Sequence, residues 1–136
     1  MLDDVFEINF VTDFALVDAS GDEINTKEEG LLLFGGGTVC DDYFNDNAAN
    51  AICNELGFGA AARWGSGKNW GTVQSSKPIK LDDCRCTSDG LWSSCSYRTG
   101  HNCVHNEDVF LECQSISSFV ICDLKMRLYI TVSVKF

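Results

Sequence analysis

Apolar and polar residues alternate along this chain in a way that predicts several short strands and a single helix. Phe6, Ile8 and Phe10 alternate with Glu7 and Asn9, the period-two pattern of a strand. Phe14-Ala15-Leu16-Val17 predicts a second strand, ending in the turn-rich Asp18-Ala19-Ser20-Gly21-Asp22. Leu31-Leu32-Leu33-Phe34 predicts a third, closed by Gly35-Gly36-Gly37. No Lys-Ser/Thr pair or helix start follows these glycines, so they read as a hairpin turn and not as a phosphate cradle. Between Asp46 and Leu56 the period changes: Ala49, Ile52, Cys53 and Leu56 share one helical face. Asn45 or Asp46 supplies the N-cap oxygen, and Gly57 suits the left-handed residue that ends the helix.

The stretch from Gly57 to Ser76, rich in glycine and small residues, reads as a long loop carrying Trp64 and Trp70. Pro78-Ile79-Lys80-Leu81 resumes as a short strand, residues 82–107 read as loop held by cysteines, and Val109 to Cys113 as another strand. Leu128, Ile130, Val132, Val134 and Phe136 alternate with Tyr129, Thr131, Ser133 and Lys135, a tail strand that must find a pairing partner.

Composition changes this picture in two ways. Eight cysteines in 136 residues, at 40, 53, 84, 86, 95, 103, 113 and 122, imply a disulfide framework in an oxidising compartment. Spacing alone does not give the connectivity, since on the order of a hundred complete pairings exist. A zinc site built from Cys84, Cys86, Cys95, His101, Cys103 and His105 is the competing reading. Six candidates are too many for one ion with four ligands, and disulfides are favoured. The net charge of −10 disfavours nucleic acid, and clustered carboxylates suit a hard cation such as calcium.

Other classes fall away. No apolar run reaches membrane-spanning length, so no membrane insertion by this chain is expected. The start Met1-Leu2-Asp3-Asp4 lacks the features of a signal peptide. There is no nucleophile-elbow, serine-protease or zincin motif, and the only histidines are His101 and His105, so no enzyme is expected. Asp82-Asp83 could mimic an acid/base pair, but adjacent residues of a strand face opposite ways. The bland reading of the tryptophans makes Trp92 and at least one other part of the core.

Five blocks, in order over residues 14–113, resemble the scavenger receptor cysteine-rich family: Gly37-Thr38-Val39-Cys40-Asp41-Asp42, Cys53-Asn54-Glu55-Leu56-Gly57, Pro78 to Cys86, Leu91-Trp92-Ser93-Ser94-Cys95, and Gly100 to Cys113. The resemblance implies a small disulfide-rich α+β domain, a curved antiparallel sheet cradling one helix, with long loops. It also implies three bridges: Cys40–Cys103, Cys53–Cys113 and Cys86–Cys95. Phe58 stands where the eight-cysteine class has a cysteine, so the chain resembles the six-cysteine class (group A) with two extras, Cys84 and Cys122. A Cys84–Cys122 bridge tying the tail to the domain is the expectation for that pair, with intermolecular pairing or free thiols as the alternatives. Residues 1–13 form an acidic N-terminal extension, 14–113 the domain, and 114–136 a strand-like C-terminal extension.

By the same resemblance, Asp41, Asp42 and Glu107 match one calcium site, and Asp82 or Asp83 with Asn102 match a second. Ala48 stands where many relatives carry an acid, a departure that weakens the metal reading. The affinity expected of such an extracellular module is about 10⁻⁴–10⁻³ M. Arg85, Arg98 and Trp70 are candidate ligand contacts. The implied role is extracellular, secreted or ectodomain recognition of a protein or of a polyanionic or microbial surface, of the scavenger-receptor kind that serves innate immunity. Oligomerisation through the tail and spare cysteines, or service as an accessory domain of a larger receptor or enzyme, are the alternatives.

Overall fold

The computed structural model describes residues 12–17, 28–66 and 76–115 in full, and the backbone of the strand residues 118–123 and 128–133. The predicted strand at Phe6–Phe10 lies outside the described residues, as does Trp70.

Strand β1 (Phe14–Val17) lies antiparallel along Leu31 to Phe34 of β2 (Glu29–Phe34). The remaining pairings of β2 are divided. Its start pairs with β7 (Val109–Cys113), and its end turns through Gly35 and Gly36, both at positive φ, into β3 (Gly37–Val39). Cys40 and Asp108 bridge across the gap where β3 and β7 diverge. With β4 (Ala61–Ser66), β5 (Ile79–Arg85) and β6 (Ser96–Arg98), the full order is β4-β7-β2-β3-β5-β6, with β1 on β2, in one curved seven-stranded sheet. The expected antiparallel sheet is in fact mixed, because β3 runs parallel to β5 (Ile79–Arg85).

Two parts of the expected loop are strands. Ala61–Ser66 forms β4 along the edge of β7, although its small residues give no apolar alternation. Side-chain contacts fix it instead. The Asn50 amide oxygen accepts from the Ala61 N–H at 2.8 Å, and the Trp64 indole donates to Asp46 at 2.9 Å. The segment after Leu81 is not plain loop either: β5 continues to Arg85, a 3-10 turn spans Trp92–Ser94, and β6 (Ser96–Arg98) pairs back on β5.

The helix α1 (Asp46–Glu55) starts at Asn45, whose side chain accepts from the Ala48 N–H at 3.0 Å. It ends in a Schellman arrangement, with Gly57 at φ 86° and the Gly57 and Phe58 N–H groups on the carbonyls of Asn54 and Cys53. Its inner face packs Ala48, Ala49, Ile52 and Cys53 against Leu32, Val39, Leu81, Val109 and Leu111. Leu31, Leu33, Val17 and Phe110 form a second cluster from the other face of β2, so the leucine run is buried on both sides. Trp64 and Trp92 are partly buried against the main core; Phe44 meets Trp64 edge-on and Phe14 meets Trp92 edge-on.

Disulfides join Cys40–Cys103, Cys53–Cys113 and Cys86–Cys95. Cys84 is a buried free thiol, so the expected Cys84–Cys122 bridge is not formed. The reason lies in the strand: Cys84 faces the core between the more exposed Asp83 and Arg85, among Leu81 and Ile52. Cys122 belongs to a separate hairpin, β8 (Ser118–Asp123) with β9 (Leu128–Ser133), so the tail strand pairs with the segment just before it.

Candidate functional site

Two loops and one irregular strand build the acidic face of the domain. The loop after β3 carries Asp41, Asp42 and Tyr43. It is held down by Cys40 N–H donating to the Leu81 carbonyl and Asp41 N–H to the Glu107 carbonyl, both at 2.8 Å. Tyr43 sits at φ 61°, a left-handed conformation that few side chains adopt without tertiary restraint. The loop 99–108 approaches from the other side, joined covalently by Cys40–Cys103 and stiffened by Cys103 N–H donating to His101 Nδ1 at 3.1 Å.

The third contribution overturns a sequence expectation. Adjacent aspartates on a strand face opposite ways, yet Asp82 and Asp83 both offer carboxylate oxygens to one cluster with Asp42, all within 4.8 Å of one another. A break in register between Asp82 and Arg85 and a left-handed Asp83, at φ 52°, turn the second side chain back beside the first. Asp82, only 3% exposed, accepts from the Asp83 N–H at 2.8 Å, which fixes this kink.

A second grouping places Asp42 and Glu107 on either side of the Cys40–Cys103 sulfurs. Asp42 Oδ2 lies 3.6 Å from Cys103 Sγ and Glu107 Oε2 3.5 Å from Cys40 Sγ. Oxidised sulfur carries neither proton nor charge, so it is no thiolate ligand, and the chemical content of this grouping is its two carboxylates. Asp42 is common to both groups, so the two expected sites share a ligand. Asn102 lines the same cleft of about 860 Å³ as Asp42, Asp82 and Asp83, together with Tyr43, Arg98 and His101. Asp41 belongs to neither group; its backbone N–H donates to the Glu107 carbonyl.

The electrostatics follow from this crowding. Burial, then Glu107 and Asp42, raise the Asp41 carboxyl above its ordinary value; burial, then Glu107, Asp82 and Asp83, raise Asp42. Burial and the charges of Asp82 and Asp83 push the Cys84 thiol up to about 12. Asp108, fully buried, meets His105 Nδ1 at 2.9 Å; burial raises its carboxyl, and Thr38 and His105 oppose the shift.

Among the described residues, Arg98 is the one arginine or lysine that pairs with a member of the three-aspartate cluster, Nη1 lying 3.8 Å from Asp83 Oδ2. Arg85 lies around the corner, its guanidinium 3.8 Å above the Tyr43 ring. Arg85 and Arg98 together line a second cavity of about 270 Å³, with Asp83, Ser96 and Tyr97. Tyr43 was not foreseen as a site residue. Its only sequence signal is its place directly after two aspartates, and its position depends on backbone geometry that no local pattern encodes.

Residues 25–114 match the family model of the scavenger receptor cysteine-rich domain. Similar proteins include the macrophage receptor MARCO of Mesocricetus auratus, 41% identical over 81 residues, and lysyl oxidase homolog 3B of Danio rerio, 38% identical over 81 residues. Each alignment covers 57% of this chain but only 16% and 10% of those relatives, so the matched region is a small part of larger proteins. The solved third SRCR domain of murine neurotrypsin is 31% identical with a TM-score of 0.59, covering 78% of this chain and 99% of that one.

Proposed function

Because the chain belongs to the scavenger receptor cysteine-rich domain family, we propose that it is an extracellular, non-catalytic recognition module that binds anionic or protein surfaces with the help of calcium. The observation that carries this reading is the convergence of Asp42, Asp82 and Asp83 at the wall of one open cleft. Three carboxylates at such separations repel one another, and a divalent cation between them converts that repulsion into binding. The donors are all hard oxygens, which suits calcium and disfavours zinc or copper. Asp42, Asp82 and Asp83 would hold the ion, with Asn102 beside them and Glu107 across the disulfide. A bound cation supplies a positive centre that an otherwise acidic domain lacks, and an anionic ligand can then approach.

Three disulfides support an oxidising compartment. Among the described residues no helix is long and apolar enough to cross a membrane. The small share of each relative that the domain occupies supports its service as an accessory module within a larger protein.

Calorimetry with calcium on the wild type and on Asp42→Ala tests the metal. Heat with a dissociation constant of about 10⁻⁴–10⁻³ M in the wild type, and its loss in the variant, is expected. Absence of heat in the wild type refutes the calcium reading. A ligand screen with and without chelator then tests the bridge, and ligand binding that survives excess chelator counts against it.

A further inference from the structure

Arg98 occupies an unusual position. In register it lies opposite Asp82 across the β5–β6 pair, and its guanidinium reaches Asp83, one of the three carboxylates of the cluster. The same side chain lines both the acidic cleft and a second cavity, which Asp83, Arg85, Ser96 and Tyr97 also line. Its side chain is 73% exposed, so no packing fixes it on either side.

We propose that Arg98 is a latch that competes with calcium for Asp83, and that calcium binding frees it to join Arg85 in holding an anionic group such as a sulfate ester. The inference rests on the calcium reading above and adds to it a route by which the metal reaches the ligand site. Without the ion, Arg98 is the counter-charge of Asp83. A divalent ion among Asp42, Asp82 and Asp83 takes the Asp83 oxygens and cancels most of the charge of the three carboxylates, so the hold on the guanidinium weakens. The guanidinium then moves toward the second cavity, which Arg85, Ser96 and Tyr97 line together with the cation-engaged Asp83. Two guanidinium forks in one cavity suit a planar or tetrahedral oxyanion. By linkage, the factor by which calcium raises anion affinity is the factor by which the anion raises calcium affinity.

The test uses the whole chain, calcium, and a short sulfated oligosaccharide with its desulfated counterpart as control. Arg98→Gln removes the competitor, and calcium binding by calorimetry is expected to tighten about two- to fivefold, the range of an exposed ion pair. Arg98→Lys is expected to stay near wild type. Asp83→Asn opens the latch permanently, so sulfated-oligosaccharide binding becomes independent of calcium and matches the calcium-saturated wild type. If Asp83→Asn instead loses that binding, calcium bridges the anion directly and the latch is wrong, while the calcium reading stands. Unchanged calcium affinity in Arg98→Gln also overturns the latch alone. A wild type that binds no calcium overturns both.

Discussion

Two disulfides of nearly equal span do opposite kinds of work in this domain. Cys53–Cys113 closes 60 residues and lies inside the main core, joining the helix to β7 beside Ile52 and Leu111. Cys40–Cys103 closes 63 residues and lies between two acidic loops, with the Asp42 and Glu107 carboxylates against its sulfurs. By loop-closure entropy the two are equivalent, each stabilising by about 4 kcal/mol. What differs is the surroundings. The first bond reinforces an association that apolar burial already favours, and the second holds together groups that repel. A staple of the second kind keeps like charges close that would otherwise move apart.

This comparison breaks most visibly at the core. Removing Cys53–Cys113 with a double alanine change is expected to cost about 2–5 kcal/mol, enough to abolish folding at body temperature, as read by thermal denaturation. Ile52→Ala, on the helix face beside that bond, is expected to cost about 2–5 kcal/mol with the disulfides intact. Removing Cys40–Cys103 is expected to cost less, roughly 1–3 kcal/mol, because the loops part and their carboxylates relax. Calcium should then no longer raise the melting temperature. An equal stability loss for the two pairs would erase the distinction.

Single charges sharpen it further. Asp42→Asn is expected to raise the metal-free melting temperature by about 1–3 °C while weakening calcium binding at least tenfold. The smallest effect is that of pH. Asp41 and Asp42 have carboxyls raised in the folded state above the ordinary 3.8, so their ionisation opposes folding at neutral pH. That penalty disappears as pH falls through the raised folded values toward 3.8. Metal-free protein should therefore gain stability on mild acidification, and calcium-saturated protein should lose its ion and its extra stability over the same window. A metal-free melting temperature that falls steadily from neutral pH would contradict the assignment.

Much of this was legible in the residues. The Asn45 cap, the helix face of Ala49, Ile52 and Cys53, and the stop at Gly57 are local signals, and the structure keeps them. β4 was not legible, because Ala61–Ser66 is strand by virtue of β7, Asn50 and Asp46, none of them local. The parallel β3–β5 pairing is likewise a property of the closed sheet. At the site, the acids were individually visible, but their grouping was not. Alternation along a strand predicts that Asp82 and Asp83 diverge, and only the kink at Asp83 reverses that. The spare Cys84 pointed to the tail by arithmetic on cysteines, whereas burial on β5 decided its fate.

That buried thiol gives the domain a gauge of its own integrity. With a sulfhydryl pushed up to about 12 and no exposed surface, Cys84 is deaf to alkylating reagents while the fold is closed. It becomes reactive only when β5 lifts from the helix. The rate at which mass-resolved labelling reaches this one position therefore counts openings of the native core, with no residue substituted and no bridge disturbed.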